Sequence, residues 1–424
     1  MAETIHAVLD RARIYWASDS RKSIISFRSP LEIWAENPTF LLVEVTFLVW
    51  VTLTMKHALR SGGRFSQLWC AALLHGLVIE LLSYTLPDVD NFWHFQGTAV
   101  LFNTRLPLYI TFLYPCFYYT AYVAVSRLKL SVLLEPFALA ICVVLLDVPY
   151  DILGVKLLWW TWHDTDPNLY DRTYYVPWTS YMFHLTFAST FLLILNTSRA
   201  LLSCGDSSGE KGEGGTSGGG CASFVGVVLA GCLSMPLAVL GQMLPAYNFP
   251  HDVYGIHTEV LLWTLLGTYV VLVWIGTQGS EGRESASSRR HRSTEVCVAL
   301  VVYYTCIGAV LMVGARPETY SSTGLHQTIG NCSVVAHTTN VLGQKLPKQA
   351  YLCASSYDEP FSLLCANAAH PATNGASYYT ICGTSFPNSA EYKCIIVAAC
   401  MLGAAIYYQL LFRSGMKAQK QKKN

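Results

Sequence analysis

Residues 131–166 read SVLLEPFALAICVVLLDVPYDILGVKLLWWTWHDTD, and their order decides the fold class. The first two thirds form an apolar window near 131–153, long enough for the roughly 20 residues that a helix needs to cross a bilayer core. The window ends in two aspartates, Asp147 and Asp151, and is followed by a run of tryptophan, histidine and aspartate, Trp159-Trp160-Thr161-Trp162-His163-Asp164-Thr165-Asp166. Tryptophan concentrates where a spanning helix leaves hydrocarbon for water. The segment therefore predicts a membrane helix with ionisable chemistry at one of its ends.

The same pattern recurs along the chain. Apolar windows lie near 39–56, 67–86, 107–125, 131–153, 176–196, 221–244, 256–276, 295–314 and 394–412. Hydrophobic residues make up 52% of the 424 and charged residues 13%, against about 25% charged in soluble domains. The expected fold is an all-α polytopic bundle of nine spans, with the bilayer as solvent for most of the chain.

Charge sets its orientation. With the C-terminus inside, the inner connections and tail carry 16 Lys and Arg residues, and the outer loops carry seven. Positive residues stay on the cytosolic side, so the tail, Arg413 to Lys423, is read as cytosolic. An N-terminal arm, residues 1–38, holds five more basic residues on the opposite side by this count, which places it along the interface or implies one span more or fewer. A net charge of +1 lacks the concentrated basic surface that nucleic acid requires. Membrane lipids are the expected surroundings, in the secretory pathway or the plasma membrane.

The chain divides by composition. After the arm comes a first membrane bundle of five spans, 39–196, and then a Gly/Ser-rich linker, 197–220, which cannot bury a core. A second membrane part of three spans, 221–314, contains a polar connection, 276–293, with the basic cluster Arg289-Arg290-His291-Arg292. Residues 315–393 are polar and carry Cys332, Cys353, Cys365 and Cys382, ahead of the last span, 394–412, and a basic tail, 413–424. Four cysteines in a loop facing an oxidising compartment read as two disulfides with three open pairings. Asn331-Cys332-Ser333 fits the glycosylation acceptor pattern. A second match at Asn196 falls at the cytosolic end of a span and is expected to stay unmodified.

Two sets of residues carry candidate chemistry. Glu44, His75 and Glu80 lie within spans, where ionisable groups are costly and face a cavity or a partner. At the outer helix ends, Asp90, His94, Asp147, Asp151, His163, Asp164, His251 and His257 come from segments that the topology puts on one side. Asp147 and Asp151 are four apart and share a helical face if Pro149 lets the helix continue. Carboxylates and imidazoles at such a boundary supply acid and base groups or metal ligands. Their spacing matches no compact metal motif, since His251 and His257 are six apart, and hydrogen-bonded loops without catalysis are the plain alternative. No phosphate-binding glycine loop, H-E-x-x-H or G-x-S-x-G occurs, and no motif names a cofactor.

The stretches Asn91-Phe92-Trp93-His94-Phe95-Gln96-Gly97, Asp147-Val148-Pro149-Tyr150-Asp151-Ile152-Leu153-Gly154, Trp160-Thr161-Trp162-His163-Asp164-Thr165-Asp166-Pro167, Tyr351-Leu352-Cys353 and Tyr378-Tyr379-Thr380-Ile381-Cys382-Gly383 carry a resemblance. On them the chain resembles a family of uncharacterised eukaryotic multi-pass membrane proteins defined by a domain of unknown function, over most of residues 40–412. That resemblance implies the multi-span fold and no activity. Locally, from Glu135 to His184, Asp151-x-x-Gly154, Trp160-x-Trp162 and Tyr175-Val176-Pro177-Trp178 are similar to the bacterial carotenoid hydratases, which add water across a terminal polyene double bond. This likeness implies Asp147 or Asp151 as the acid that protonates an alkene, with a neighbouring carboxylate or histidine placing the water.

Three functions follow as expectations. The first is an enzyme acting on a lipid or isoprenoid at the outer boundary. The second is a transporter or sensor with Glu44, His75 and Glu80 along its path, and the third is a non-catalytic protein that binds an extracytosolic partner through its Cys-containing loop.

Overall fold

The computed structural model describes residues 24–86, 89, 91–102, 105–162, 166–204, 218–278, 293–366 and 368–413. Ten α-helices run through them: α1 (Pro30–Glu36), α2 (Pro38–Ser61), α3 (Gly63–Thr85), α4 (Leu108–Val125), α5 (Glu135–Lys156), α6 (Trp178–Cys204), α7 (Gly218–Ala238), α8 (Thr258–Gln278), α9 (Thr294–Val313) and α10 (Ser389–Tyr408). Among the described residues nine helices, α2 to α10, are long and apolar enough to cross a membrane. They match the nine apolar windows one for one. The sixth runs further than expected, because α7 continues as a π-helical segment through Val239–Val253.

The helices do not share burial evenly. The α4 and α5 spans are 89% and 83% buried, whereas α8 and α10 are 17% and 22% buried, so α4 and α5 form the centre and the others surround them. Their packing is aromatic: Trp50, Phe117 and Tyr303 meet with ring centroids 4.8–6.3 Å apart, and Trp50 Nε1 donates to Thr120 Oγ1 at 3.0 Å. A helix buried all round needs no amphipathic stripe. That is why α4 can read Leu-Tyr-Ile-Thr-Phe-Leu-Tyr without a polar face.

One end of the bundle gathers Arg60, Arg64, Arg127 and Arg199. Arg60 pairs with Glu295, Arg64 with Glu135 at 3.2 Å, Arg127 donates to Ser293 at 2.8 Å and to the Leu411 carbonyl, and Arg199 donates to Gln67. Asn196 lies buried here against Glu135 and the Val132 carbonyl. Of the linker expected over 197–220, residues 197–204 continue α6 and 218–220 begin α7; residues 205–217, residues 279–292 with the Arg289–Arg292 cluster, and the tail 414–424 lie outside the described residues.

The opposite end departs from the all-α expectation. Short antiparallel strands form there: β1 (Ile25–Phe27), β2 (Phe92–His94), β3 (Ala99–Leu101), β4 (Leu106–Pro107), β5 (Trp160–Trp162), β6 (Arg172–Thr173) and β7 (Val176–Pro177). The order β1-β3-β4 ties the end of the N-terminal arm to the α3–α4 connection. Further strands, β8 (Ser321–Leu325), β9 (Val335–Thr339), β10 (Lys345–Gln349), β11 (Phe361–Ser362) and β12 (Tyr378–Gly383), build a cap between α9 and α10. Loop backbone must find hydrogen-bond partners; β1–β3 and β2–β5 find them between segments, and the remaining strands within their own connection.

The cap holds the two expected disulfides, paired Cys332–Cys353 and Cys365–Cys382, one of the three possible pairings. It is fastened to the bundle by Lys156 Nζ, which donates to Thr384 Oγ1 and the Ser385 carbonyl. Arg172 adds a bond to the Asp358 carbonyl and an ion pair with Glu359 at 3.4 Å. Asn331 is exposed, its Oδ1 accepting from Ser333 N and Oγ.

Candidate functional site

The site grows from two pairs of positions, each spaced by one helical turn. On α5, Asp147 and Asp151 are four apart, and the helix continues through Pro149. Proline removes the bond to the carbonyl four residues back, here that of Leu145, and Tyr303 donates to the adjacent Leu146 carbonyl at 2.5 Å. On the neighbouring α6, Ser180 and His184 are also four apart. Ser180 Oγ donates to Asp151 Oδ2 at 2.8 Å, and His184 Nε2 lies 3.2 Å from Asp147 Oδ1. The carboxylates are 1% and 4% exposed, and Asp147 Oδ2 has no hydrogen-bond partner.

Gly154, three residues beyond Asp151, lets the chain fold back over this end of α5. A Cβ there would sit 2.2 Å from the Trp160 ring. Leu158 takes a left-handed φ of 60°, and β5 then pairs with β2, setting Trp160 opposite His94 and Trp162 opposite Phe92. Alternate strand residues face one side, so Phe92, His94, Trp160 and Trp162 all face inward. The family-like stretches around Trp93 and Thr161 are thus two strands of one ribbon.

These groups line a cavity of about 260 Å³, near the lower end of the roughly 300–1,000 Å³ of small-molecule pockets. Its walls include Ile110, Leu113, Tyr150, Phe183 and Phe187. Met235, Val239, Met243 and Tyr247, each four apart on α7 and the π segment, form one side. Thr339, Asn340 and Val341, at the tip of the β9–β10 hairpin, reach it from the cap. Glu80 also faces it, accepting from Tyr114 at 3.2 Å and lying 3.5 Å from His94 Nε2.

The candidate residues named from sequence separate into four groups. His94, Asp147, Asp151 and Glu80 line the cavity. His251 and His257 lie apart from its lining, in a network that fastens loops: Asp171 accepts from Thr258 N and Oγ1 at 2.8 and 2.7 Å, with His257 at 3.2 Å and His251 at 3.7 Å. Asp252 is held by His251, Asn248 and Asn340. Glu44 and His75 are buried away from the cavity lining and engaged. Glu44 accepts from the Thr98 amide and hydroxyl, and the two ring nitrogens of His75 meet Tyr118 and Ser234. Asp90, His163 and Asp164 lie outside the described residues. Burial alone would raise the Asp171 carboxyl, but the two Thr258 donors and the neighbouring His257 and His251 outweigh it and hold it below the usual carboxylate range.

His184 was missed as a site residue in the sequence. Its signal is the Ser180-x-x-x-His184 spacing inside an apolar window, the counterpart of Asp147-x-x-x-Asp151, and it acquires meaning only once α5 and α6 are neighbours.

The family model described as Domain of unknown function (DUF7802) matches residues 21–412, and the chain belongs to that family. No curated protein and no solved structure matches it.

Proposed function

We propose that this member of a family without assigned activity is a multi-pass membrane enzyme that brings water to an apolar chain, a lipid or an isoprenoid, held in the cavity. The observation that carries the reading is the meeting of Asp147, Asp151 and His184 at the wall of a largely apolar, aromatic-lined space. Convergent polar groups in a largely apolar pocket are the usual mark of a reaction site. The volume suits part of a chain, with the remainder passing between helices into the surrounding lipid. The Asp147, Asp151 and His184 set delivers one proton to the alkene carbon and takes one back from the water that bonds to the neighbouring carbon, so the site ends as it began. The local likeness to carotenoid hydratases supports addition of water across a double bond as the reaction.

The disulfides, the exposed Asn331 acceptor site and the arginines at the far end together support a cap on the extracytosolic side, in the secretory pathway or at the plasma membrane. Reducing conditions in the cytosol disfavour such bridges. Transport has one supporting contact, the Glu80–His94 pair, since Glu44 and His75 have their lone pairs engaged elsewhere. Glu80→Gln should leave flux unaltered if the enzyme reading is right.

The deciding experiment is purification in mild detergent followed by solvent extraction and mass spectrometry. The expected result is a stoichiometric apolar ligand, retained by Asp151→Asn in a folded protein that no longer converts it. A folded preparation with no apolar ligand, or an Asp151→Asn variant with full turnover, would remove the reading.

A further inference from the structure

We infer that Asp147, Asp151 and His184 bind a divalent transition-metal ion, which rests on the reading of the cavity as a reaction site and names the cofactor of that site. One ligand atom from each residue lies within 4.8 Å of the others, the one such grouping of three among the described residues. The two helices present them at matched four-residue spacings, so the set is built on rigid elements. Asp147 Oδ2 is buried without a hydrogen-bond partner, which leaves a lone pair to be filled.

Charge points the same way. Among the described residues the cavity lining includes Glu80, Asp147 and Asp151 and no lysine or arginine, and a buried carboxylate must be compensated. A divalent ion with neutral His184 brings the two aspartates and the imidazole to neutrality without consuming a proton. At metal–ligand distances of about 2.0–2.2 Å, tetrahedral donors stand about 3.4 Å apart. The His184–Asp147 contact of 3.2 Å already meets this, and a side-chain rotation of Asp151 closes the set. Ser180, bonded to Asp151 Oδ2, holds that carboxylate as outer-shell partners do.

Two carboxylate oxygens and one imidazole nitrogen favour zinc, iron or manganese over magnesium or calcium. Three protein ligands leave a position open to the cavity, as in catalytic rather than structural sites. An ion there would polarise a water or a substrate oxygen. The rim histidines form no second grouping of three among the described residues, and Oδ2 of both Asp171 and Asp252 is already taken up, by Thr258 and by Asn248 with Asn340.

The test is elemental mass spectrometry on the full chain in mild detergent, paired with titration of chelator-treated protein with Mn²⁺ followed by electron paramagnetic resonance. Wild type should carry stoichiometric zinc, iron or manganese. Asp147→Asn and His184→Gln should lose it and weaken Mn²⁺ binding by about tenfold or more, while eluting as folded monodisperse protein. Glu80→Gln, which alters a cavity carboxylate outside the set, should keep the metal. Metal-free wild type that takes up no Mn²⁺, or undiminished metal in Asp147→Asn and His184→Gln, would overturn the proposal. A metal-free protein that still yields an apolar ligand on extraction removes the ion alone and leaves the function proposed for the cavity intact.

Discussion

Cutting both cross-links in the cap gives the sharpest quantitative expectation. The bridges close loops with separations of 21 and 17 residues, and the loop-entropy relation assigns each about 3 kcal/mol. Together they supply about 6 kcal/mol. A folded unit holds about 0.05–0.15 kcal/mol per residue, so a cap of about 75 residues has some 4–11 kcal/mol in all, and the bridges account for much of it. Single substitutions, Cys332→Ser or Cys365→Ser, should speed amide exchange in β8, β9, β10 and β12 by about a hundredfold each, because 1.4 kcal/mol is a factor of ten. Reduction of both should bring the cap strands close to the exchange of an open chain, while α4 and α5 keep their protection. Hydrogen–deuterium exchange with mass spectrometry, with and without a phosphine reductant, reads this directly. If cap protection changed by less than threefold with both bonds verifiably reduced, the reasoning would fail. Docking through Lys156, Arg172 and Glu359 would then be what holds the strands.

Asp171→Asn removes a charged acceptor from the first turn of α8 and should cost about 1 kcal/mol of stability. Because the folded carboxyl is held below its ordinary value, this stabilisation is present above the unfolded value of about 3.9 and fades as pH falls through the folded one. The melting-temperature gap between wild type and variant should therefore close below about pH 4, and a gap undiminished at pH 2.5 would contradict the assignment. Asn340→Ala cuts the bond from the β9–β10 hairpin to Asp252 at 2.7 Å, a charge-assisted contact of about 1.5 kcal/mol. Exchange of the hairpin amides should rise roughly tenfold with the helices unchanged, and an unaffected hairpin would show that this contact does not hold it. Asn331→Gln should abolish a glycosidase-sensitive mobility shift in protein made through a secretory route; absence of any shift in wild type would remove this support for an extracytosolic cap.

The helices were readable because a spanning segment needs nothing but length and apolarity, and α9 with its run Val-Ala-Leu-Val-Val carries that signal unaided. Asp147 and Asp151 were readable for a similar reason, since their spacing is local to one helix. The strands were not. β2 and β5 are three residues each, too short for alternation to register, and their pairing joins positions such as Trp93 and Thr161, 68 apart in the chain. Long-range convergence also hid the fate of the histidines. His94 and His251 look alike in sequence, yet one faces a cavity and the other holds Asp252. The apolar window of the sixth span stops at 244, just ahead of Pro245 and Pro250, residues that interrupt α-helices. A wider winding carried the helix past them.

That wider winding has a geometric effect on the cavity wall. An α-helix turns about 100° per residue, so a purely α-helical path from Met235 to Tyr247 would end about 120° round the cylinder, with Tyr247 turned off the wall. A π-helix, with about 4.4 residues per turn, lags the other way. The four α steps to Val239 gain about 40°, and the eight π steps to Tyr247 lose about 65°, leaving a net drift of only about 25°. The change of pitch acts as a counter-rotation that keeps a straight row of side chains along one bore. Its corollary concerns deletions rather than substitutions: removing a residue that lets Val239–Val253 relax to ordinary pitch would swing Tyr247, Asn248 and His251 together out of alignment, altering the cavity and its rim in a single step.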